Sequence, residues 1–342
     1  MRALWACCLL ACATPTGPAE EETRSESCAS CHADHGDDHR LSPHARAAAS
    51  PVFAAMLPDV EAEWGPVARQ ACEGCHAPAH SPDEGIGCVS CHAAVGNHET
   101  RDGALAVDLR APIGGPRAGV DAPHAVRQSA FLSAPELCGT CHELSGPRLA
   151  VEPTFTEYLA SPQAADGETC ASCHMPSVEG RRSHRFVGFD PLWDAPPDEA
   201  ARAEAETLAL LRAALALRVT RSDGALEIAV TNVGAGHAVP TGAAFLRDLW
   251  VDVERSGEVV AARVMTIGDQ PMQGETPVPL LTRASHVVPG SLAAGQTRVV
   301  RVAAADGAQA ILRGRAVRPA VLAALGLEGL SASVPVHEIA RR

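Results

Sequence analysis

Lysine is absent from this 342-residue sequence, and all 28 of its basic residues are arginines. Without a lysine amine, the protein has no lysine to serve as a Schiff-base nucleophile or a general base. The 41 acidic residues outnumber the arginines and give a formal net charge of −13. Because nucleic acids are bound through basic surfaces, this charge predicts that no nucleic acid is a partner.

Large flat side chains are scarce as well. Aromatic residues make up 3% of the chain, whereas apolar residues as a whole make up 46%. This apolar content is typical of a globular protein, and the length allows two domains. The small number of aromatic rings is unusual for a chain that has to fill so large a core. Some other planar apolar group would compensate for this deficit.

Cysteines are missing from most of the chain and concentrated in a repeated pattern. Of the 13 cysteines, three lie near the start, at Cys7, Cys8 and Cys12, and none of the rest is left over for a structural disulfide. The other ten belong to five copies of Cys-X-X-Cys-His: Cys28-Ala-Ser-Cys31-His32, Cys72-Glu-Gly-Cys75-His76, Cys88-Val-Ser-Cys91-His92, Cys138-Gly-Thr-Cys141-His142 and Cys170-Ala-Ser-Cys173-His174.

This pattern is the attachment signature of a c-type haem. Two thiols bond covalently to the porphyrin, and the adjacent histidine becomes the proximal ligand of the iron. The alternatives are redox dithiols and zinc sites. A dithiol does not need the trailing histidine, and four-cysteine zinc sites would use an even number of motifs. The sequence therefore predicts five covalently attached haem c groups, which would also supply the missing flat apolar surface.

Residues 1–12 are predicted to form an export signal. Arg2 precedes a short apolar run over residues 3–11, which is too short to span a bilayer as a helix. The sequence Leu9-Leu10-Ala11-Cys12 is similar to a lipoprotein cleavage box, which would leave Cys12 lipidated and in contact with a membrane. Ordinary cleavage after Ala13 is the alternative. Residues 13–26 are then predicted to form a flexible tether. Both alternatives export the chain.

Two regions of different composition follow the tether. Residues 27–193 contain every haem motif in an irregular sequence rich in Pro, Gly and His. These 167 residues amount to about 33 residues per motif. So little chain per cofactor predicts a mainly α-helical, irregular domain with haems at its core. One helix is expected from about Val60 into Cys72. Residues 194–216 are expected to form a connecting helix with Asp198 as its N-cap.

In residues 217–342 the apolar period changes to two. Short alternating segments flank Asp223-Gly224, Ser256-Gly257 and Asp306-Gly307, which are favoured hairpin turns. This spacing predicts an antiparallel β-sandwich, of the immunoglobulin-like kind, without a haem motif. The fold class is thus multidomain: a multihaem cytochrome c domain, a helix and a β-sandwich.

The haem region resembles multihaem c-type cytochromes of anaerobic metal- and sulfur-respiring bacteria, which are related to the tetrahaem cytochromes of nitrifiers. The resemblance covers most of residues 27–253. Its residues are Leu41-Ser-Pro-His44-Ala, Cys75-His-Ala-Pro-Ala-His80, Ala122-Pro-His124 before Glu136-Leu-Cys-Gly-Thr-Cys-His142, Cys170-Ala-Ser-Cys-His-Met-Pro176 with Ser183-His184-Arg-Phe186, and Asn232-Val-Gly-Ala-Gly-His237-Ala-Val-Pro-Thr-Gly242 before Leu249-Trp250. Tyr158 departs from the pattern, since relatives usually carry tryptophan there.

The resemblance implies second axial ligands for the five irons. Fifteen histidines less five proximal ones leave ten. Those implied as distal ligands are His44, His124, His184, His237 and, as the fifth, His80, with His98 as its competitor. For His237, Gly234 and Gly236 are expected to let the backbone approach the porphyrin. His35 and His39 are expected in a solvated loop, and His286 and His337 on late strands.

The predicted function is electron transfer, with closely spaced haems forming a relay in anaerobic or extracellular respiration. Its partners would be donor and acceptor cytochromes or membrane complexes. The location implied is the periplasm, outer membrane or cell surface of a Gram-negative bacterium. The alternatives are a reductase of a small nitrogen or sulfur oxyanion, which needs one iron with an open position, and a subunit of a surface conduit or filament. An enzymatic activity is thus left open but not favoured.

Overall fold

The computed structural model of the protein describes residues 23–79, 84–99, 101–147, 149–193 and 195–342. The N-terminal prediction, with Cys7, Cys8 and Cys12, therefore lies outside the described residues, as does His80. The α-helices of the described part are α1 Ser25–Ala29, α2 Ala33–Arg40, α3 Pro51–Trp64, α4 Pro66–His76, α5 Cys88–His92, α6 Pro135–Gly139, α7 Thr154–Leu159, α8 Pro162–Ala165, α9 Cys170–His174, α10 Pro197–Ala214 and α11 Pro319–Ala324.

The strands of the N-terminal region are short and form two-stranded ribbons. They are β1 Ala94–Asn97, β2 Leu105–Val107, β3 Ile113–Gly115, β4 Val126–Gln128, β5 Leu144–Ser145, β6 Ala150–Glu152, β7 Ser177–Val178 and β8 Arg181–Arg182. The pairs are β1 with β2, β3 with β4, β5 with β6 and β7 with β8, and β3 with β4 is the parallel one. These ribbons and the short helices make the region irregular, as its composition predicts.

The helix expected from Val60 into Cys72 is broken into α3 and α4. Gly65 separates them with φ +87°, a conformation that glycine adopts readily, and Pro66 begins the second helix. The prediction of one continuous helix was therefore wrong. The break sets the direction of α4, which carries the second motif at its C-terminal end.

Helix α10 confirms the connecting helix, but its N-cap differs from the prediction. The cap residue is Pro196, and Asp198 lies inside the first turn together with Glu199. Acidic side chains are favourable there because the first turn carries the positive end of the helix dipole. Within the described residues, no helix has both the length and the apolar character needed to span a membrane.

The C-terminal region consists mainly of two antiparallel sheets. Its strands are β9 Leu215–Ser222, β10 Ala225–Asn232, β11 Asp248–Arg255, β12 Glu258–Ile267, β13 Gln270–Gln273, β14 Thr276–Pro277, β15 His286–Val288, β16 Thr297–Ala303, β17 Gln309–Arg315 and β18 His337–Arg341. One sheet has the order β16-β10-β9, another β12-β11-β17-β18, and a small third sheet has the order β14-β13-β15.

Two of the three predicted hairpins are present. Asp223 and Gly224 join β9 to β10, and Ser256 and Gly257 join β11 to β12, all four with positive φ. Positive φ at both turn residues matches the right-handed twist of the strands. The third prediction was wrong, because β16 and β17 belong to different sheets and residues 306–307 connect the two.

The two larger sheets share one apolar core. Fully buried residues of β10 and β11 alternate toward it, including Leu226, Ile228, Val251 and Val253, and Leu312 of β17 joins them. The antiparallel β-rich region is therefore present. Its classification as immunoglobulin-like, and the division at residues 193 and 216, stay predictions.

A second apolar cluster joins the two regions of the chain. Val52 of α3 packs there with Leu281 and with Val321 of α11. Beside this cluster, the Asp59 carboxylate accepts hydrogen bonds from the Arg283 guanidinium, including one of 3.0 Å from Nε. The motif-bearing helices therefore pack directly against the β-rich region.

Candidate haem-binding sites

Each of the five motifs lies on or beside one helical turn. In the first, the His32 N–H donates to Cys28 O at 2.9 Å, and in the fourth, the His142 N–H donates to Cys138 O at 2.9 Å. Residues three and four apart in a helix project from the same side. The two thiols and the imidazole of each motif are thus presented together, as covalent attachment and proximal ligation of one haem require.

Four of the motif histidines have a hydrogen-bond partner for ring atom Nδ1. His76 donates to Ala47 O at 2.8 Å, His92 to Gly114 O at 2.8 Å and His174 to Val187 O at 2.7 Å. Because a carbonyl can only accept, Nδ1 carries the proton and Nε2 keeps its lone pair. This tautomer and orientation are what a metal-ligating histidine requires.

His142 has a carboxylate as its partner instead. Its Nδ1 lies 2.5 Å from Glu152 Oε1. Burial alone would lower the pKa of His142, but the charge and hydrogen bond of Glu152 raise it to about 9. A carboxylate behind a ligating imidazole increases its basicity toward a metal. No sequence pattern marks Glu152, which comes from β6 rather than from the motif.

Four other histidines face the motif histidines across the protein. The ring centroids are 6.4 Å apart for His32 and His124, and 6.2 Å apart for His44 and His142, for His92 and His184, and for His174 and His237. Metal–imidazole bonds are about 2 Å long, so two imidazoles that share one metal have centroids about 6 Å apart. The four pairs therefore fit the axial positions of four irons.

The space between the rings fits a planar group as well. His142 is surrounded by protein and strongly desolvated, yet 48% of its side chain is accessible. Its ring centroid lies 6.2 Å from that of His44, which leaves room for one flat group between the two imidazoles. Cys138 lies in α6, and the Cys141 N–H donates to Cys138 O at 3.1 Å, so that one turn holds both thiols of the motif beside His142. The residues present thus fit a covalently attached haem.

Three of the four facing imidazoles are held in the neutral form. Burial lowers the pKa of His44 to about 3 and that of His184 to about 4, and it also lowers the pKa of His237. A histidine must be neutral to bind a metal. The environments of these three side chains therefore favour the form that a ligand needs.

The second motif differs from the other four. Among the described residues, no histidine faces His76, and His98 makes no ring contact with another histidine. The Phe53 ring stacks on the His76 imidazole at 3.6 Å with an angle of 5° between the planes. Phe53 thereby covers one face of the ring and fixes its rotation. His80, the predicted partner, is outside the described residues and stays a prediction.

The loop that carries His237 is attached to α7. The Glu157 carboxylate accepts from the Ala238 N–H at 3.1 Å and from the Thr241 hydroxyl at 2.5 Å, and the Gly242 N–H donates to Thr154 Oγ1 at 3.1 Å. Because α7 follows the fourth motif, these bonds couple the β-rich region to the motif region. Sequence reasoning missed Glu157 entirely.

The glycines of this loop allow close packing against two helices, and their predicted role in approaching a porphyrin stays a prediction. A Cβ atom on Gly234 would lie 2.4 Å from Ala213 O, and one on Gly236 would lie 3.0 Å from Gln163 Cβ. Both glycines thus allow a close approach of the loop to α8 and to the end of α10. Glycine is required here because the backbone segments themselves touch.

His35 and His39 were misjudged as residues of a solvated loop. They lie on α2, and His39 is buried, with its Nε2 bonded to Ile86 O at 2.8 Å. The ring of His35 lies 4.8 Å from His184 and 6.2 Å from His32. The acidic residues of this segment suggested a solvated loop, but they lie on a helix, where Asp38 is buried and accepts a hydrogen bond from Arg181 at 2.5 Å. His286 and His337 lie on β15 and β18, as predicted.

No family model matches the sequence, and no curated protein matches it. The fold is nevertheless shared with a solved structure, a penta-heme cytochrome c552 from Thermochromatium tepidum. The two align with a TM-score of 0.71 and 21% identity over 93% of this chain and 97% of that chain. The chain therefore has the fold of a multihaem c-type cytochrome along nearly its whole length.

Proposed function

We propose that this protein is an exported c-type cytochrome that carries electrons through five covalently bound haem c groups. The observation that carries the proposal is the set of four facing imidazole pairs, each built on a Cys-X-X-Cys-His motif. Haem c with two histidine ligands supplies reversible one-electron chemistry at its iron, and no substrate has to bind there. The shared fold with a penta-heme cytochrome supports the same assignment.

The residues of each site have separate roles in attaching the porphyrin and in binding the iron. The cysteines of the five motifs attach the porphyrins, and the motif histidines His32, His76, His92, His142 and His174 are the proximal ligands. His124, His44, His184 and His237 complete the first, fourth, third and fifth sites, and His80 is assigned to the second. An imidazole at each of these positions would keep the distal coordination site of the iron filled and exclude water from it.

Export and membrane contact are further parts of the proposal. Covalent haem attachment outside the cytoplasm agrees with the signal-like residues 1–12, and Leu-Leu-Ala before Cys12 favours a lipid anchor. The location proposed is the periplasm or cell surface of a Gram-negative bacterium. The partners would be redox proteins that supply and receive electrons, either soluble cytochromes or membrane complexes.

One observation favours a second candidate, a reductase of a small nitrogen or sulfur oxyanion. His76 has no facing histidine among the described residues, and Phe53 stacks on it instead. If His80 does not serve as its partner, the second iron keeps a position open for a substrate. The two candidates differ at this motif alone.

The proposal is tested by mass spectrometry and electron paramagnetic resonance on the mature protein. We expect the mass of the polypeptide plus five haems, and a spectrum in which at least four irons are low-spin. A protein without covalent haem would overturn the assignment. A fifth iron that is high-spin and binds nitrite or hydroxylamine would favour the reductase, and five low-spin irons would favour the relay.

A further inference from the structure

We infer that the five sites form a branched array in which the fourth motif is the junction. A centre is defined here as one motif together with its facing imidazole, numbered by the motif. That a haem occupies each centre rests on the proposed function. The inference adds which centres lie next to one another. It predicts which centres are neighbours and where electrons enter and leave.

Centre 1 touches centre 3. The His35 ring lies between the two, 6.2 Å from His32 and 4.8 Å from His184. The Ser25 hydroxyl, which precedes the first motif, accepts from the Cys88 N–H at 3.1 Å. The thiols of Cys28 and Cys88 also lie close enough to interact electrostatically.

Centre 3 touches centre 4 through Phe186. Its ring lies 4.3 Å from His44 and 5.7 Å from His184, the distal imidazoles of these two centres. The backbone at Phe186 has φ +45°, which is uncommon for a bulky residue and shows that its surroundings fix it. The Asn97 amide, shortly after the third motif, adds a hydrogen bond of 3.0 Å to Thr140 Oγ1 inside the fourth.

Centre 4 also touches centre 2. Gly103 fits between them: its N–H donates to Thr140 O at 2.8 Å, and a Cβ atom there would lie 2.9 Å from Cys75 Sγ. The thiols of Cys75 and Cys141 also lie close enough to interact electrostatically. A side chain at position 103 would push the two motifs apart.

Centre 4 touches centre 5 as its third neighbour. Helices α6 and α9, which carry these motifs, pack against each other, and the thiols of Cys138 and Cys170 are in contact. Centre 4 thus has neighbours 2, 3 and 5, whereas centre 1 is reached through centre 3. The result is a path from centre 1 through 3 and 4 to 5, with centre 2 as a side branch.

Centres 1, 2 and 5 each touch one other centre and are therefore the free ends of the array. Cys31 of centre 1 and Cys173 of centre 5 are exposed, while Cys75 of centre 2 is buried. The protein thus covers the second motif more than the first and the fifth, and the inferred points of entry and exit for electrons are centres 1 and 5.

The order of neighbours is tested by locating the irons in crystals of the haem-loaded protein through their anomalous scattering. We expect the iron bound by His142 to have three near neighbours and the iron bound by His32 to have one. An unbranched order of five irons would overturn the inference while leaving the proposed function intact. A crystal without iron at the motifs would overturn the proposed function instead.

A second test measures the junction in solution by redox titration. His44→Met replaces the distal ligand of centre 4 with methionine, which raises the potential of that haem so that it is reduced first. Its added electron then repels electrons at adjacent centres. We expect three other midpoint potentials to fall, whereas the matched variant His124→Met at centre 1 lowers one. If the same number of midpoint potentials fell in both variants, the branched order of centres would be contradicted.

Discussion

His174 and His237 face each other with ring centroids 6.2 Å apart and an angle of 22° between their planes. The first belongs to the fifth motif, and the second lies on a loop of the β-rich region. This region therefore supplies part of a candidate redox site, in addition to packing against the motif region.

For His237, the substitution His237→Ala is expected to convert one iron from low-spin to high-spin, because its second strong ligand is lost. Electron paramagnetic resonance and visible spectra of the purified protein measure this change. His286→Ala is the matched control, since that histidine lies on β15 without a facing imidazole. A variant at 237 in which every iron stayed low-spin would exclude this residue as a ligand.

Glu152 is expected to lower the potential of the haem bound by His142. The carboxylate accepts from Nδ1 at 2.5 Å and makes the imidazole a stronger donor, which stabilises the oxidised iron. Glu152→Gln removes the charge and should raise one midpoint potential in a spectroelectrochemical titration.

The control for this change is Glu143→Gln. The Glu143 carboxylate is close in the chain but binds the backbone N–H and hydroxyl of Thr156, at 2.8 and 2.9 Å, rather than an imidazole. Its substitution should produce a smaller rise. Equal rises in both variants would indicate that charge alone, and not the bond to the ring, determines the potential.

Thr140 and Ser90 occupy the same position in the fourth and third motifs but differ in bonding. Thr140 Oγ1 donates to Glu136 O at 2.8 Å and accepts from Asn97, whereas the buried Ser90 hydroxyl has no hydrogen-bond partner among the described residues. Thr140→Val should lower the free energy of unfolding by about 1 kcal/mol.

Ser90→Ala should leave the free energy of unfolding unchanged or raise it, since it removes a buried polar group without a bond. Denaturant titration of the haem-loaded protein, followed by far-ultraviolet circular dichroism, compares the two variants. Both keep the Cys-X-X-Cys-His pattern, so the number of attached haems serves as an internal check. If Ser90→Ala lowered the free energy of unfolding more than Thr140→Val does, the difference in stability would not come from the hydrogen bonds.

Asp252 lies on the outer side of β11 and is 5% exposed. Burial alone would raise the pKa of this carboxyl, but hydrogen bonds from the Arg263 N–H, Trp250 Nε1 and Arg313 lower it below its ordinary value of 3.8. A depressed folded-state pKa means that the unfolded chain binds the proton first. These bonds therefore contribute fully above pH 3.8, and the contribution is lost as the pH falls through the folded-state value.

Asp252→Asn is accordingly expected to lower the free energy of unfolding by about 2 kcal/mol at neutral pH. The difference from the wild-type protein should shrink in acid below the ordinary pKa. Asp306→Asn, at an exposed position between β16 and β17, should change little at any pH. A loss for Asp252→Asn that did not depend on pH would assign its effect to packing rather than to the charge.

The features that sequence could predict are those set by neighbouring residues. The Asp223-Gly224 and Ser256-Gly257 turns form hairpins because their own backbone preferences match strand twist. Helix α10 follows from a run of strong helix formers. The turn at Asp306-Gly307 looks the same in sequence, but which strands pair across it depends on the whole sheet arrangement, and here it joins two sheets.

The residues of the candidate sites also fall into those that local sequence predicts and those that only the fold brings together. The five motifs are local patterns, and the resemblance to multihaem cytochromes supplied the histidines His44, His124, His184 and His237. Neither the motifs nor the resemblance shows which histidine faces which motif, because each pair joins distant parts of the chain. Glu152 and Glu157 have no local signature, and only the folded chain brings Glu152 to an imidazole and Glu157 to the loop that carries His237.

The connection of the Glu157 carboxylate to the loop at Ala238 and Thr241 has a consequence for biogenesis. Ribosomes make this loop after all five motifs, so the fifth site cannot obtain its proposed second ligand until the C-terminal sheets have emerged and docked. A chain truncated before them would carry an incomplete fifth centre at one end of the proposed path. Completion of the fifth site therefore reports that synthesis has passed residue 237.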